Sequence, residues 1–119
     1  MSLPTTPTAL ARVIDHTLTR ADATIQDIEK LCVEAREHKF HSVSVNGSWV
    51  VAARHFLDGS DVKVGCAVSF PLGAMSGDAK RFETEAAIDD GAQEIDVVLN
   101  IGRLKAGDDK HVQIGRAHV

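Results

Sequence analysis

The sequence predicts an α/β fold in which short parallel strands alternate with helices. Runs of apolar and β-branched residues alternate along the chain with longer segments whose apolar residues recur at helical spacing. One run, residues 94–100, lies between a predicted helix end at Gly91 and a turn at Gly102, a setting typical of a parallel strand covered by helices. The alternation predicts three parallel strands joined by right-handed crossovers.

The N-terminal part of the chain is predicted to be helical. Residues 1–7 are predicted to be a flexible lead-in and residues 8–38 to contain N-terminal helices, the first of them short and followed by a polar turn at residues 15–17. Thr24 is the expected N-cap of the longer helix, because Asp27 occupies the capping-box position three residues later. Apolar residues then recur at helical spacing until the helix ends near residue 38.

The rest of the chain, residues 42–119, is predicted to consist of βα units. The helix predicted at residues 77–90 is expected to bury Ala79, Phe82 and Ala86 on one face. The predicted elements are strands at 42–46, 62–70 and 94–100, helices at 47–57 and 77–90, a loop at 102–107 and a last helix from Asp108.

Length and composition favour one soluble domain of ordinary composition, with 119 residues, 44% hydrophobic and 25% charged. A net charge of -4 gives no electrostatic reason to expect binding to nucleic acid or to an anionic membrane. No apolar run approaches the roughly 20 residues of a spanning helix, and the N-terminus lacks the regions of a signal peptide. Cys32 and Cys66 form no CxxC motif, which favours free thiols in a reduced, cytoplasmic protein.

Two architectures share this alternation: a doubly wound open sheet and a (β/α)8 barrel. A dinucleotide-binding sheet usually carries GxGxxG after its first strand, whereas residues 45–48 read VNGS, and the chain has no GxxxxGK[ST] phosphate loop. Polar residues instead follow the predicted strands, where a barrel carries its active site. A barrel takes about 250 residues, so the prediction is a partial TIM barrel in which residues 1–119 form one incomplete domain of about three βα units preceded by N-terminal helices. The polar residues at strand ends are Asn46, Ser69 and Asn100.

Asp96 is the strongest candidate for a functional residue. It interrupts a predicted strand that is otherwise rich in valine, isoleucine and leucine. An ionised carboxylate inside a covered strand is unfavourable unless it is hydrogen-bonded or paired, and such positions are common at active sites. The alternative is a structural carboxylate that accepts hydrogen bonds from backbone N–H groups or from an arginine.

Several motifs, in a fixed order between residues 14 and 109, resemble the N-terminal part of the deoxyribose-phosphate aldolases. Each motif alone is weak, but together they are specific. They are IDHTL at 14–18, VSVN at 43–46, FPLG at 70–73, KRFE at 80–83, GAQEIDVV at 91–98 and NIGRLKAGD at 100–108.

The resemblance implies a (β/α)8 barrel and a lyase reaction. Members of this family are class I aldolases, which use no metal or other cofactor: a lysine forms a Schiff base with acetaldehyde, and the enamine attacks glyceraldehyde 3-phosphate. The reverse reaction cleaves 2-deoxy-D-ribose 5-phosphate in deoxyribonucleotide catabolism. On this resemblance Asp96 is the catalytic proton-relay carboxylate, and Asp15, Thr17 and Asn46 are substrate-binding residues. A plain turn or cap is the alternative for Asp15 and Thr17, and a strand-end cap is the alternative for Asn46.

The family's Schiff-base lysine and phosphate-binding loops lie on later strands. The chain is therefore expected to be truncated before its nucleophile and to be inactive alone, because Lys63, Lys80 and Lys105 are all predicted to be solvated. The expected partners are a phosphorylated sugar or aldehyde and further copies of the chain, with no nucleic acid, membrane or metal; the six histidines form no HExxH motif.

Two other functions remain open. One is a non-catalytic assembly module that pairs through its open sheet edges with another copy or with a missing half. The other is an open α/β ligand-binding domain.

Overall fold

Four parallel strands form one sheet in the computed structural model, which describes residues 3, 5–110 and 112. Helices connect the strands, as the alternation predicts. In chain order the elements are α1 (Pro7–Ala11), β1 (Asp15–Leu18), α2 (Ile25–His38), β2 (Ser42–Val45), a 3-10 turn (Gly47–Trp49), α3 (Val50–Phe56), β3 (Lys63–Val68), α4 (Gly77–Asp89), β4 (Glu94–Val97) and α5 (Ile101–Lys105).

The strands lie side by side in chain order, β1-β2-β3-β4, and each neighbouring pair is parallel. The predicted parallel α/β arrangement is therefore confirmed. The register places Thr17, Ser44, Gly65 and Glu94 in one row across the sheet. Asp96 lies two rows further toward the carboxyl ends of the strands, opposite Ala67 of β3.

The prediction of a turn at residues 15–17, within a helical N-terminal region, is wrong. Asp15–Leu18 forms β1 and pairs in register with Ser42–Val45 of β2, so the sheet has four strands and not three. Asp15 and Thr17 are exposed on one face of β1, whereas the residues between them face α2. A strand of this length, with two polar side chains on one face, carries too short an alternation to distinguish it from a turn.

The hydrophobic core lies between one face of the sheet and helices α2 and α3. Val43, Val64 and Cys66 point into it and are fully buried. Because successive side chains of a strand point to opposite faces, the intervening residues form the other face, where Thr17 and Asp96 are exposed. We call this second surface the open face; it carries Asp15, Thr17, Ser42, Ser44, Lys63, Gly65, Ala67, Glu94 and Asp96.

Helix α2 begins as predicted. The hydroxyl oxygen of Thr24 accepts a hydrogen bond from the backbone N–H of Asp27, and the Asp27 carboxylate accepts one from the backbone N–H of Thr24 at 2.9 Å. The backbone N–H and the hydroxyl of Thr24, which donate to the Asp27 carboxylate, lower the pKa of Asp27, and the nearby Arg20 adds to the effect. The predicted capping box is confirmed, and it fixes where the helix begins.

Helix α4 buries a different face from the predicted one. Phe82, expected in the core with Ala79 and Ala86, is 71% exposed, and both alanines are exposed too. The buried face consists of Lys80, Thr84 and Ala87, whose i, i+4, i+7 spacing is as helical as the predicted set. The prediction placed three apolar residues on the buried face and assumed that Lys80 is solvated, although a long lysine stem can pack as an apolar chain.

Lys80 is also not solvated, contrary to the prediction. It is 4% exposed, and its Nζ donates a hydrogen bond to the backbone oxygen of Val98 at 2.9 Å. Burial lowers the pKa of this amine below its usual range. Lys80 therefore ties α4 to the chain just after β4.

The C-terminal region differs from its prediction in two places. Strand β4 ends at Val97, and a short helix, α5, replaces the loop predicted at residues 102–107. Asn100 is its N-cap, since its Oδ1 accepts a hydrogen bond from Arg103 N at 3.0 Å. Asp109, Lys110 and Val112 are helical, and the rest of the predicted last helix lies outside the described residues, as do residues 1, 2 and 4 of the predicted lead-in.

Cys32 and Cys66 are free and buried in the core. Burial raises the pKa of both thiols to about 11. Among the described residues, no helix combines the length and the apolar character needed to cross a membrane.

Candidate functional site

The amino end of the open face is built around Asp15. The Ser42 hydroxyl, which is almost fully buried, donates a hydrogen bond to Asp15 Oδ1 at 2.5 Å. The register explains this contact, because Asp15 and Ser42 are paired residues on neighbouring strands. Thr17, two residues further along β1, lies on the same face, and its hydroxyl contacts the Asp15 backbone oxygen at 3.4 Å.

The centre of the open face holds Asp96. The Ser44 hydroxyl donates a hydrogen bond to Asp96 Oδ2 at 3.3 Å, although β3 lies between the two strands. Gly65 of β3 lies beside this contact and has no side chain; a Cβ built there would be in ordinary van der Waals contact with Asp96 Oδ2, at 3.7 Å. The expectation that Asp96 occupies an enclosed strand is wrong: its side chain is exposed, so its charge stays in contact with solvent.

A second polar group adjoins Asp15. His41, which precedes β2, pairs with Glu94 at 2.8 Å between Nε2 and Oε2. One ligand atom from each of Asp15, His41 and Glu94 lies within 4.8 Å of the others. Imidazole and carboxylate groups in this arrangement are able to hold a divalent cation, but only in competition with the His41–Glu94 hydrogen bond. The sequence predicted no metal ligand among these residues.

The two asparagines at the strand ends are bonded to the backbone. Asn46 Nδ2 donates a hydrogen bond to Thr19 O at 3.1 Å, which joins the ends of β1 and β2. Asn100 caps α5. Asn46 lies at the carboxyl end of β2, where its predicted role in substrate binding stays a prediction.

The FPLG segment after β3 forms a tight turn against the chain that follows β4. Ser69 has φ 59, and its N–H donates a hydrogen bond to Glu83 Oε1 at 2.5 Å. Gly73 has φ +67, and a Cβ there would lie 2.1 Å from the Leu99 backbone oxygen. Only glycine fits such a close approach, so the turn is held against the carboxyl end of the sheet.

Sequence reasoning found Asp15, Thr17 and Asp96, and the structure brings all three to the open face. It missed Ser42 and Glu94 as neighbours of this group. The serine–valine alternation of residues 42–45 was the available signal, because it indicates a strand with one polar face.

Comparison with known proteins gives a consistent set of relatives. The chain is 57% identical over 103 residues to a deoxyribose-phosphate aldolase from Alkaliphilus oremlandii, which covers 87% of this chain and 46% of the relative. It is also 57% identical over 99 residues to one from Mycoplasma mobile, covering 83% of the chain and 45% of the relative. The chain thus spans about half the length of the curated relatives that it matches. No protein-family model matches it.

Solved structures agree. A candidate deoxyribose-phosphate aldolase from Coccidioides immitis is 32% identical with a TM-score of 0.91, covering 98% of this chain and 48% of that one. The tetrameric deoxyribose phosphate aldolase from Aeropyrum pernix is 27% identical with a TM-score of 0.76, covering 95% and 50%. The four-stranded sheet therefore has the fold of about half of these aldolases, which agrees with the predicted partial barrel.

Proposed function

Starting from this similarity to the N-terminal half of deoxyribose-phosphate aldolases, we propose that the chain forms that half of an aldolase of the same specificity. The reaction is the reversible cleavage of 2-deoxy-D-ribose 5-phosphate to glyceraldehyde 3-phosphate and acetaldehyde, in cytoplasmic deoxyribonucleotide catabolism. The observation that carries the proposal is the placement of Asp15, Thr17 and Asp96 on the same face of the sheet, with Asp96 toward its carboxyl end. In a barrel that face is the interior, and catalytic groups lie toward the carboxyl ends of the strands.

Asp96 is the proposed proton relay. Schiff-base chemistry moves protons on and off the substrate carbon and oxygen, and a carboxylate within reach of both solvent and substrate suits that task. Ser44 donates to one carboxylate oxygen of Asp96 and so fixes its orientation. Asp15, held by Ser42, and Thr17 are proposed to position the hydroxyl groups of the substrate, with Asn46 at the mouth of the site.

The amine nucleophile of this proposal comes from a later strand, as the family resemblance implies. Attack on a carbonyl requires an unprotonated amine. Among the described lysines, Lys80 is buried, but its Nζ is bonded to Val98 O, whereas the other five are exposed: Lys30, Lys39, Lys63, Lys105 and Lys110. We therefore propose that these 119 residues alone do not form the Schiff base.

Borohydride trapping tests this proposal. The 12.8 kDa chain is incubated with 2-deoxyribose 5-phosphate and sodium borohydride, and the intact mass is measured, with the Alkaliphilus oremlandii aldolase as positive control. The expected result is an adduct on the control and none on the chain. A stoichiometric adduct that disappears in Lys80→Met would show that Lys80 is the nucleophile and would overturn the proposal.

A hybrid enzyme tests the role of Asp96 directly. These residues replace the matching ones of the Alkaliphilus oremlandii aldolase, to which they are 57% identical. The hybrid is expected to cleave the substrate, and Asp96→Asn is expected to lower kcat by about 10²–10⁴-fold, the usual contribution of a general acid–base group. Asp89→Asn, an exposed carboxylate on α4, is the matched control. An Asp96→Asn hybrid as active as this control would contradict the assignment.

The assembly module remains a second candidate, because apolar side chains are exposed beside both outer strands. They include Leu10 and Val13 near β1, and Phe82, Ile101 and Leu104 on α4 and α5. The outer edges of β1 and β4 have no strand partner among the described residues. Sedimentation velocity decides this candidate: a single monomeric species over a wide concentration range would contradict it.

A further inference from the structure

A cavity of about 620 Å³ lies at the amino ends of the strands. Four segments form it: the residue after α1, the last turn of α2, the connection from α2 to β2, and the connection from α3 to β3. Barrel active sites lie at the opposite, carboxyl ends of the strands, and Asp96 lies toward that end; the cavity meets the group around Asp15 only through His41, which also lines it. Its lining residues include Arg12, Arg36, Lys39, Phe40, Asp61 and Val62.

The cavity is basic although the chain is acidic. Arg12, Arg36 and Lys39 contribute three positive charges and Asp61 one negative charge, in a chain of net charge -4. The side chains of Arg12, Lys39 and Asp61 form no hydrogen bond or ion pair with another described residue, so their charges are not neutralised locally. A cavity with an excess of unpaired cations attracts anions.

Arg36 is already fixed in place. Its Nη1 donates hydrogen bonds to the backbone oxygens of Phe56 at 3.0 Å and Asp58 at 3.1 Å. These bonds engage one nitrogen of the guanidinium group, so its other N–H donors stay free to bind a ligand. A fixed guanidinium loses little conformational entropy when it binds an anion.

The stabilisation of the C-terminal end of α2 explains only some of the positive charges that line the cavity. Arg36 lies in the last turn of α2 and Lys39 caps it in the left-handed conformation, where cations interact favourably with the helix dipole. Arg12 belongs to a different element, the C-cap of the short helix α1, and nevertheless lines the same cavity. The fold therefore brings together cations that no single helix end requires.

We propose that this cavity binds a small molecule that carries a phosphate or diphosphate group. Arginine guanidinium groups match the geometry of phosphate oxygens, and the volume is within the usual range for small-molecule sites. Phe40 and Val62 supply an apolar wall for the rest of the ligand. This site is distinct from the position of Asp96, adjoins the group around Asp15 through His41, and does not depend on the aldolase function.

Titration with inorganic pyrophosphate tests the proposal, followed by ¹H–¹⁵N NMR at about 150 mM NaCl so that non-specific attraction is screened. Saturable shifts are expected at Arg12, Lys39 and Ser60. The variant R12Q/K39Q is expected to weaken binding about tenfold or more, because it removes two positive charges that attract the anion. The variant D61N is expected to tighten binding by about twofold or more, because it removes a negative charge that repels the anion. K105Q, an exposed lysine on α5, is the control and should bind as the wild type does.

Three results would overturn the site: no saturable shift at these residues, shifts confined to another part of the chain, or equal affinity in R12Q/K39Q and K105Q. Circular dichroism of each variant checks that the fold is kept. All of these outcomes are independent of the trapping experiment, so failure of one proposal does not decide the other.

Discussion

Ser44 and Asp96 form a hydrogen bond of 3.3 Å between β2 and β4, two strands that are not neighbours. Strands in a sheet lie about 4.8 Å apart, so side chains two strands apart meet only when nothing stands between them. The residue beside them on β3 is Gly65, which has no side chain to separate the two groups. The hydrogen bond therefore links β2 to β4 across the intervening strand.

Removal of the Ser44 hydroxyl tests whether this contact stabilises the fold. Ser44→Ala is expected to lower the free energy of unfolding by about 0.5–1.5 kcal/mol, the usual net contribution of a hydrogen bond. Urea unfolding followed by the fluorescence of Trp49 measures it. Ser48→Ala, at an exposed serine without a hydrogen bond in the described residues, is the control and should change little. Equal effects of the two substitutions would show that the contact contributes nothing.

The buried amine of Lys80 predicts a distinct dependence of stability on pH. Burial lowers its pKa in the folded chain, so between that value and the ordinary value of 10.5 the unfolded chain binds more protons. Stability then rises with pH in this window. The free energy of unfolding of the wild type is therefore expected to increase relative to Lys80→Met from neutral pH toward about pH 10.

The comparison with Lys80→Met removes other titrations from this measurement. Cys32 and Cys66 also titrate at alkaline pH, with pKa values raised to about 11, but both variants contain them. Lys105→Met, at an exposed position, is the matched control and should show no such divergence from the wild type. If the difference in free energy of unfolding between wild type and Lys80→Met stays constant across the pH range, burial does not lower the pKa of the Lys80 amine.

Local signals in the sequence predicted the helices better than the burial of their faces. The capping box at Thr24 and Asp27 is a contact between residues three apart, so the sequence contains all of it. The burial of Lys80 and the exposure of Phe82 depend on how α4 rotates against β3 and β4, which no local pattern reports. Hydrophobicity alone favoured the wrong face.

In the candidate site, too, local patterns predicted individual residues, whereas their arrangement depends on the tertiary structure. The resemblance identified Asp15 and Asp96 one by one, but their shared face follows from the register of four strands. Strand β1 was missed because its polar residues face the open side, so it lacks an apolar run. The contact from Ser44 to Asp96 passes Gly65 on the strand between them, and this neighbourhood follows from the register alone.

The capping box predicts a loss of stability in acid. The pKa of Asp27 is held below 3.8 mainly by the backbone N–H and hydroxyl of Thr24, with Arg20 adding to it. A carboxyl with a lowered pKa stabilises the fold above its unfolded value, and this stabilisation is lost as pH falls through the folded value. Wild type is expected to be more stable than Asp27→Asn at neutral pH, and the difference should shrink as the pH falls below the ordinary value of 3.8 and through the lowered pKa of the folded chain.

Thermal unfolding of both variants at several pH values measures this difference. Glu29→Gln is the control, because Glu29 is exposed in the same helix and takes no part in the capping box. A difference between wild type and Asp27→Asn that does not change with pH would mean that the carboxylate charge is not what caps the helix.

The exposure of Phe82 yields a prediction that also bears on assembly. Because Phe82 is 71% exposed, Phe82→Ala should change the free energy of unfolding of the monomer by less than about 0.5 kcal/mol, as surface substitutions usually do. Ile28→Ala, at a fully buried position, should cost about 2–5 kcal/mol. Urea unfolding at two protein concentrations separates the possible outcomes. If the free energy of unfolding of the wild type rises with protein concentration and that of Phe82→Ala does not, Phe82 is buried between copies of the chain. That result would support the assembly module and place Phe82 in its interface. If Phe82→Ala costs as much as Ile28→Ala at every concentration, the side chain is buried within one chain, and the orientation of α4 described here is wrong.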